Sequence, residues 1–163
     1  MKRGFAYLSL VVFVALGILA YKERRAWHFL KSDQMIMEDV FEAIIRHHLM
    51  VRGSEHKIVF LSFAENETDH DPPGRFIARF SDLPIEIGKV SAHVKDKYGS
   101  VEDEQGRSGV IIRLHGLRKQ GIFNRMASVS FYYWGWGQEG YLFHLELTGT
   151  GWKVTKVDLT FIT

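Results

Sequence analysis

From Gly109 to the last residues the chain alternates apolar and polar side chains with a period of two, and that pattern dictates a sheet. Val110, Ile112 and Leu114 alternate with Ile111, Arg113 and His115. Tyr141, Phe143, Leu145 and Leu147 alternate with Leu142, His144 and Glu146, and Val157, Leu159 and Phe161 with Lys156, Asp158 and Thr160. Successive side chains on a strand point to opposite faces, so each apolar set marks a face to be buried. The spacing predicts strands over Gly109–Leu117, Arg125–Trp134, Tyr141–Thr148 and Trp152–Ile162. Thr148-Gly149-Thr150-Gly151 supplies the turn between the last two.

Earlier in the chain the period is helical. Met37, Val40, Phe41, Ile44, Ile45 and His48 recur along one stripe, with Glu38, Asp39, Glu42, Arg46 and His47 largely off it. An amphipathic helix of about four to five turns follows, and Ser32 or Asp33 can cap it. Ile58–Leu61 reads as a buried strand, closed by the acidic loop Glu65–Asp71 and Pro72-Pro73. Gly74–Leu83 holds a short helix with Phe76, Ile77 and Phe80 on one side; Lys89–Val94 reads as a strand and Lys95–Arg107 as a polar excursion. One early helix followed by hairpin-linked strands makes an α+β domain, the helix on one face of an antiparallel sheet. A curved-sheet arrangement of the NTF2-like or cystatin-like kind fits this order by analogy, and an analogy of fold fixes no function.

The first 25 residues are of another character. Phe5–Tyr21 is an uncharged run of 17 residues flanked by Lys2-Arg3 and by Lys22, Arg24 and Arg25. As a helix it reaches about 25 Å, the short end of what spans a hydrocarbon core of ~30 Å. Residues 1–25 are therefore expected to be a signal-anchor, 26–32 a juxtamembrane juncture carrying Trp27 and Phe29, and 33–163 a single α+β domain. Cleavage after Ala20 remains open, with Ile18 a poor small-residue substitute two places earlier. Either way the domain is expected outside a bacterial cell membrane, single-pass and anchored, or secreted after cleavage.

Charge follows the same division. Removing the five basic residues and one acidic residue of the first 25 from the chain's 21 and 19 leaves 16 and 18, a net of −2. A domain that grips phosphate backbones concentrates positive charge on itself, so no nucleic-acid partner is expected. The chain has no cysteine, which removes disulfides, thiolate nucleophiles, Cys-based zinc sites and a lipid-modified cysteine.

Several motifs look chemical and lack the context their chemistry needs. Gly135-Trp136-Gly137-Gln138-Glu139-Gly140 matches G-x-G-x-x-G, yet a strand follows where a pyrophosphate needs a helix N-terminus. Thr68-Asp69-His70-Asp71 and His47-His48 offer adjacent ligands rather than ligands converging from spaced positions, so neither a metal nor a cofactor is expected. Asn66-Glu67-Thr68 fits a glycosylation sequon, relevant only in a eukaryotic secretory pathway. No serine stands in a G-x-S-x-G elbow.

The outward register of the late strands is the more informative feature. It puts Arg113, His115, His144, Glu146, Lys156 and Asp158 on one face, as an acid–base site if that face is concave and dry, or as solvated cross-strand pairs. Phe131-Tyr132-Tyr133-Trp134, with Trp136 and Tyr141, makes an aromatic hairpin whose tryptophans suit either the core or a binding rim. The candidate binding residues are thus Trp134, Trp136, Tyr141, Arg113, His115 and His144.

Gly109-Val110-Ile111-Ile112-Arg113, Phe131-Tyr132-Tyr133, Trp152-Lys153-Val154 and the closing Phe161-Ile162-Thr163 resemble a group of uncharacterised exported or membrane-anchored bacterial proteins. Those chains pair an export signal with a small helix-plus-antiparallel-sheet domain. The resemblance covers about half the chain and implies no activity; some members look like lipoproteins, from which this cysteine-free chain departs. The expectation is a non-catalytic module that binds an envelope protein or a small ligand through the Trp134–Tyr141 hairpin, the alternative a small hydrolase or isomerase using His115 and His144 on the polar sheet face.

Overall fold

The structure, a computed structural model, describes residues 32–52, 57–65, 68–95, 99–134 and 137–163, with the side chains of Arg52, Lys95 and Trp134 left out. Phe5–Tyr21 and Trp136 lie outside these residues, and among the described ones no helix is long and apolar enough to cross a membrane.

The helical stripe forms α1, Asp33–Arg52. Ser32 caps it, its Oγ accepting the Met35 N–H at 3.3 Å. Val40, Phe41, Ile44 and Ile45 bury completely against the sheet. The strands are β1 Ile58–Glu65, β2 Thr68–His70, β3 Glu86–Lys89, β4 Val94–Lys95, β5 Val101–Glu102, β6 Gly109–Lys119, β7 Asn124–Trp134, β8 Gly137–Thr148 and β9 Gly151–Ile162. Seven of them make one sheet in the order β2-β1-β6-β7-β8-β9, with β3 beside β1 as well, and β4 and β5 form a separate pair. The fold is α+β and the sheet mostly antiparallel.

Several details differ from the sequence reading. First, β1 runs parallel to both β3 and β6. The chain leaves β1 and returns to β6 only after a long excursion, the length a parallel crossover needs. Second, Lys89–Val94 is not one strand: β3 ends at Lys89, a 3₁₀ turn takes Val90–Ala92, and β4 starts at Val94. Asp71 pins that turn, its carboxylate accepting the Ser91 N–H at 2.9 Å and the Ser91 hydroxyl at 2.7 Å. Third, the polar excursion is only polar on average. Its Val101 is buried, and with Val90, Ile58, Phe60 and Ile111 it forms a second small core on the face opposite α1.

The main core lies between α1 and the other face, where Val59, Leu61, Val110, Ile112, Leu114, Val129 and Phe131 meet the helix. Its margin is sealed by a hook, α2 (Gly74–Ile77) and a 3₁₀ turn (Ala78–Phe80), in place of one short helix over Gly74–Leu83. Phe76 stacks 5.9 Å from Phe41 and meets Phe80 edge-on at 5.3 Å. Arginines of the hook grip the polar side of α1: Arg75 and Arg79 donate to the buried Glu38 at 3.0 and 3.3 Å, and Arg79 also to Asp39 at 2.9 Å. A buried carboxylate paired twice over fixes where the hook sits more than it adds net stability.

Candidate functional site

The face opposite α1 is the place where polar groups gather. Arg113 projects from β6 and donates two parallel hydrogen bonds to Asp69 of β2, Nε to Oδ1 at 2.7 Å and Nη2 to Oδ2 at 2.9 Å. The buried Ser62 hydroxyl donates to the same Oδ1 at 2.7 Å, and the Arg113 guanidinium lies 5.5 Å from the Tyr132 ring centre. Burial by itself would raise the Asp69 pKa, but the hydrogen bonds from Arg113 and Ser62 outweigh it and hold the carboxylate below its ordinary range.

His115 sits at a β-bulge. Leu114 pairs with Val129 and Gly116 with Ser128, so His115 is the extra residue. Its Nε2 lies 2.7 Å from the hydroxyl of Ser130, which is 1% exposed. Desolvation, helped by the nearby Arg113 charge and opposed by Asp69, pushes the imidazole pKa below its usual value and favours the neutral ring. Ser130, His115 and Asp69 thus resemble a nucleophilic triad only in composition. Asp69 is engaged by Arg113 rather than by His115, and the serine hydroxyl is closed off from solvent.

His144 belongs to a second cluster. Its Nε2 lies 2.9 Å from Asp158 Oδ2, and Lys156 Nζ lies 2.8 Å from Asp158 Oδ1. The sequence-derived set of Arg113, His115, His144, Glu146, Lys156 and Asp158 does share this face, yet Arg113 and His115 are separated by β7 from His144, Glu146, Lys156 and Asp158. Two strand spacings put the histidines ~10 Å apart or more, too far to act on one reacting atom.

Between the clusters the bulge opens a depression of about 470 Å³, lined by His115, Gly116, Arg118, Met126, Ser128 and Leu142 among others. Gly116 leaves open space where a side chain would stand. Met126 and Leu142 make an apolar floor, and Arg118 stands exposed at the rim. Sequence reasoning missed Arg118 and Ser130: Ser130 had a signal in its alternation with Val129 and Phe131, whereas Arg118 shares the parity of Val110, Ile112 and Leu114 and reaches this face only through the bulge at His115.

The aromatic hairpin divides differently. Tyr141 lies on the α1 side, edge-on to Phe131 at 5.5 Å, with its hydroxyl donating to Glu139 Oε2 at 2.6 Å. It is therefore on the other face from Arg113, His115 and His144, and the six candidate residues do not form one site. Trp136 and the Trp134 side chain are outside the described residues. Tyr141 helps line an apolar groove of about 260 Å³ with His47, His48, Val51, Phe143 and Val157. The His48 ring stacks 4.1 Å from Phe131, so this histidine packs rather than ligates.

The last glycine of the G-x-G-x-x-G string has a purely local task. Gly140 pairs with Phe161 across β8 and β9, and a Cβ there would run into the Phe161 ring. Thr68-Asp69-His70-Asp71 disperses likewise, Asp69 to Arg113 and Asp71 to Ser91. Among the described residues no group of three or more His, Asp or Glu side chains is placed to hold a metal. No known protein family, no curated protein and no solved structure matches this chain.

Proposed function

We propose that this is a non-catalytic binding module, held on the extracytoplasmic side of a bacterial membrane by Phe5–Tyr21, that takes a small amphiphilic anion in the depression beside the His115 bulge. One observation carries the reading. The groups able to do acid–base work on the open face are bonded to one another, Asp69 to Arg113, His115 to Ser130 and His144 to Asp158, and of these only His115 lines the concavity between them. A floor of Met126 and Leu142 with a guanidinium at the rim suits an apolar body carrying one negative head group. Two separated histidines give the hydrolase or isomerase alternative nothing comparable.

The full chain in lipid nanodiscs is the material for the test, with hexanoate and phenyl phosphate as anionic probes and hexanol and phenol as neutral ones. A ligand that binds only the folded state raises the melting temperature as its concentration exceeds Kd. The anionic probes should stabilise the wild type and fail to stabilise Gly116→Leu, which fills the depression without a backbone clash. Equal shifts in both proteins, or no shift with any probe, would refute the reading. Resistance of the membrane-bound chain to alkaline extraction, with the domain open to protease from outside, tests the location separately.

A further inference from the structure

Beyond ligand binding, we propose that two copies of the chain associate through β9, pairing antiparallel about a two-fold axis at Val157, so that the two sheets become one. In the sheet order β9 is the terminal strand, and among the described residues it pairs with β8 alone. Over Gly151–Ile162 its outer edge presents a row of backbone N–H and C=O groups, a template for another strand. Sheets blunt such an edge with short strands, prolines, β-bulges or charged side chains, lysine above all. This strand is 12 residues long and contains no proline, and its shifts at Thr155 and Thr160 and its Lys153 and Lys156 interrupt the edge without closing it.

Apolar surface collects on the same margin. Val157, Leu159 and Ile162 are 37, 53 and 65% exposed, and Met50 and Val51 at the end of α1 are 82 and 68% exposed. The apolar groove lies between Val51 and Val157, joining strand and helix into one patch. Patches of this kind on a small domain mark an interaction surface.

The occupant follows from charge and geometry. Register shifts leave Thr155 and Thr160 as extra residues and divide the ladder into regular runs, of which Lys156–Leu159 is the one that carries the exposed Val157 and Leu159 of the patch. A two-fold axis through Val157 sets Val157 beside its own copy and Lys156 of each chain beside Asp158 of the other. Moving the axis one residue either way sets like charges against each other, so this register is the self-complementary one. An axis normal to the sheet also keeps both α1 helices on one face, where the two apolar grooves close on each other.

A lipid surface fits the patch less well. At 1.5 Å per residue α1 is about 30 Å long. The patch lies at its Met50 end, whereas the segment containing Phe5–Tyr21 joins at the Asp33 end.

The absence of cysteine makes the test direct, because a single introduced thiol can only form a disulfide with another molecule. Directly opposed residues of an antiparallel pair have Cα atoms ~4.5–5.5 Å apart, within disulfide reach. Oxidation of the membrane-embedded full chain carrying Val157→Cys should give dimer in about tenfold excess over Lys119→Cys, an exposed control on β6. Mixing Lys156→Cys chains with Asp158→Cys chains should give the heterodimer in similar excess over either homodimer. These positions are surface residues, and melting curves verify folding. Val157→Cys yields equal to the control would overturn the pairing. A thiol that stays unreactive to maleimide while the chain remains monomeric would show another occupant and overturn it too. Because neither measurement involves the His115 depression, its outcome is independent of the ligand-binding test.

Discussion

The two halves of the sheet are built by different rules. Around β1 and the first half of β6 the sheet is covered twice, by α1 on one side and by the β4–β5 excursion on the other, so Ile58, Val59, Phe60 and Leu61 are all buried. Around β8 and β9 it is covered once, by α1, and the far side carries His144, Lys156 and Asp158. The boundary falls within β6, between Ile111 and Arg113. A continuous apolar run therefore marks two-sided cover and a strict alternation one-sided cover, within a single sheet. The polar clusters of the far face gather toward the one-sided half, where that face of the sheet meets solvent.

The sharpest way to break that contrast is to delete the same ring in each half. Phe60 is fully buried on the face opposite α1, so Phe60→Ala removes the centre of the small core and should cost about 3–5 kcal/mol. Phe161, on the same face of β9, is 43% exposed and lies over Gly140, and Phe161→Ala should cost about 1 kcal/mol. Urea denaturation of both proteins measures the pair of values. Similar losses would mean that the two halves are equally well covered and the distinction is false.

How much of this was legible in the chain follows from the same contrast. Alternation located β6 to β9 within a few residues and gave the correct face for Arg113, His115 and His144, because period-two patterns report burial directly. The run Ile58–Leu61 was legible as a buried strand. What it was buried under was not, since Val90 and Val101 are single apolar residues in a charged stretch and have no period. The bulge at His115 was also invisible: it depends on the register against β7, which local sequence does not encode. Asp69 read as part of an acidic loop because its partner, Arg113, is 44 residues away. The coarse site was thus visible as a face, whereas its division into two clusters and a depression needed strand order.

Where the halves meet, the Asp69–Arg113 pair should give an intermediate effect. Both side chains are partly exposed, at 29 and 18%, and Asp69 also satisfies the buried Ser62. Arg113→Ala leaves Asp69 half-desolvated with two hydrogen bonds fewer, keeping the one from Ser62, and should cost about 1–2 kcal/mol after allowance for solvent screening. Asp69→Ala in the Arg113→Ala background should add much less than it does alone, since the two side chains form one unit. Additive losses would show that they act separately. In that event Arg113 is held by its packing on Tyr132.

The smallest effect expected is a dependence on pH. Burial, together with the Arg113 charge, depresses the folded-state pKa of His115 below its ordinary 6.5, with Asp69 opposing in part. The unfolded chain therefore takes up the proton first as pH falls. Stability from the neutral ring is fully present above pH 6.5 and is lost as pH drops through the depressed folded value. The carboxylates held low by their partners, Asp69 among them, add their losses only in the more acid range below the ordinary 3.8. More than a third of His115 is exposed, so its share should be under about 1 kcal/mol. Melting temperatures across pH 5 to 7 should fall less on acidification for His115→Gln than for the wild type. If His115→Gln leaves the acid slope intact, the bulged imidazole is solvated like any surface histidine, and the depression beside it loses its neutral wall.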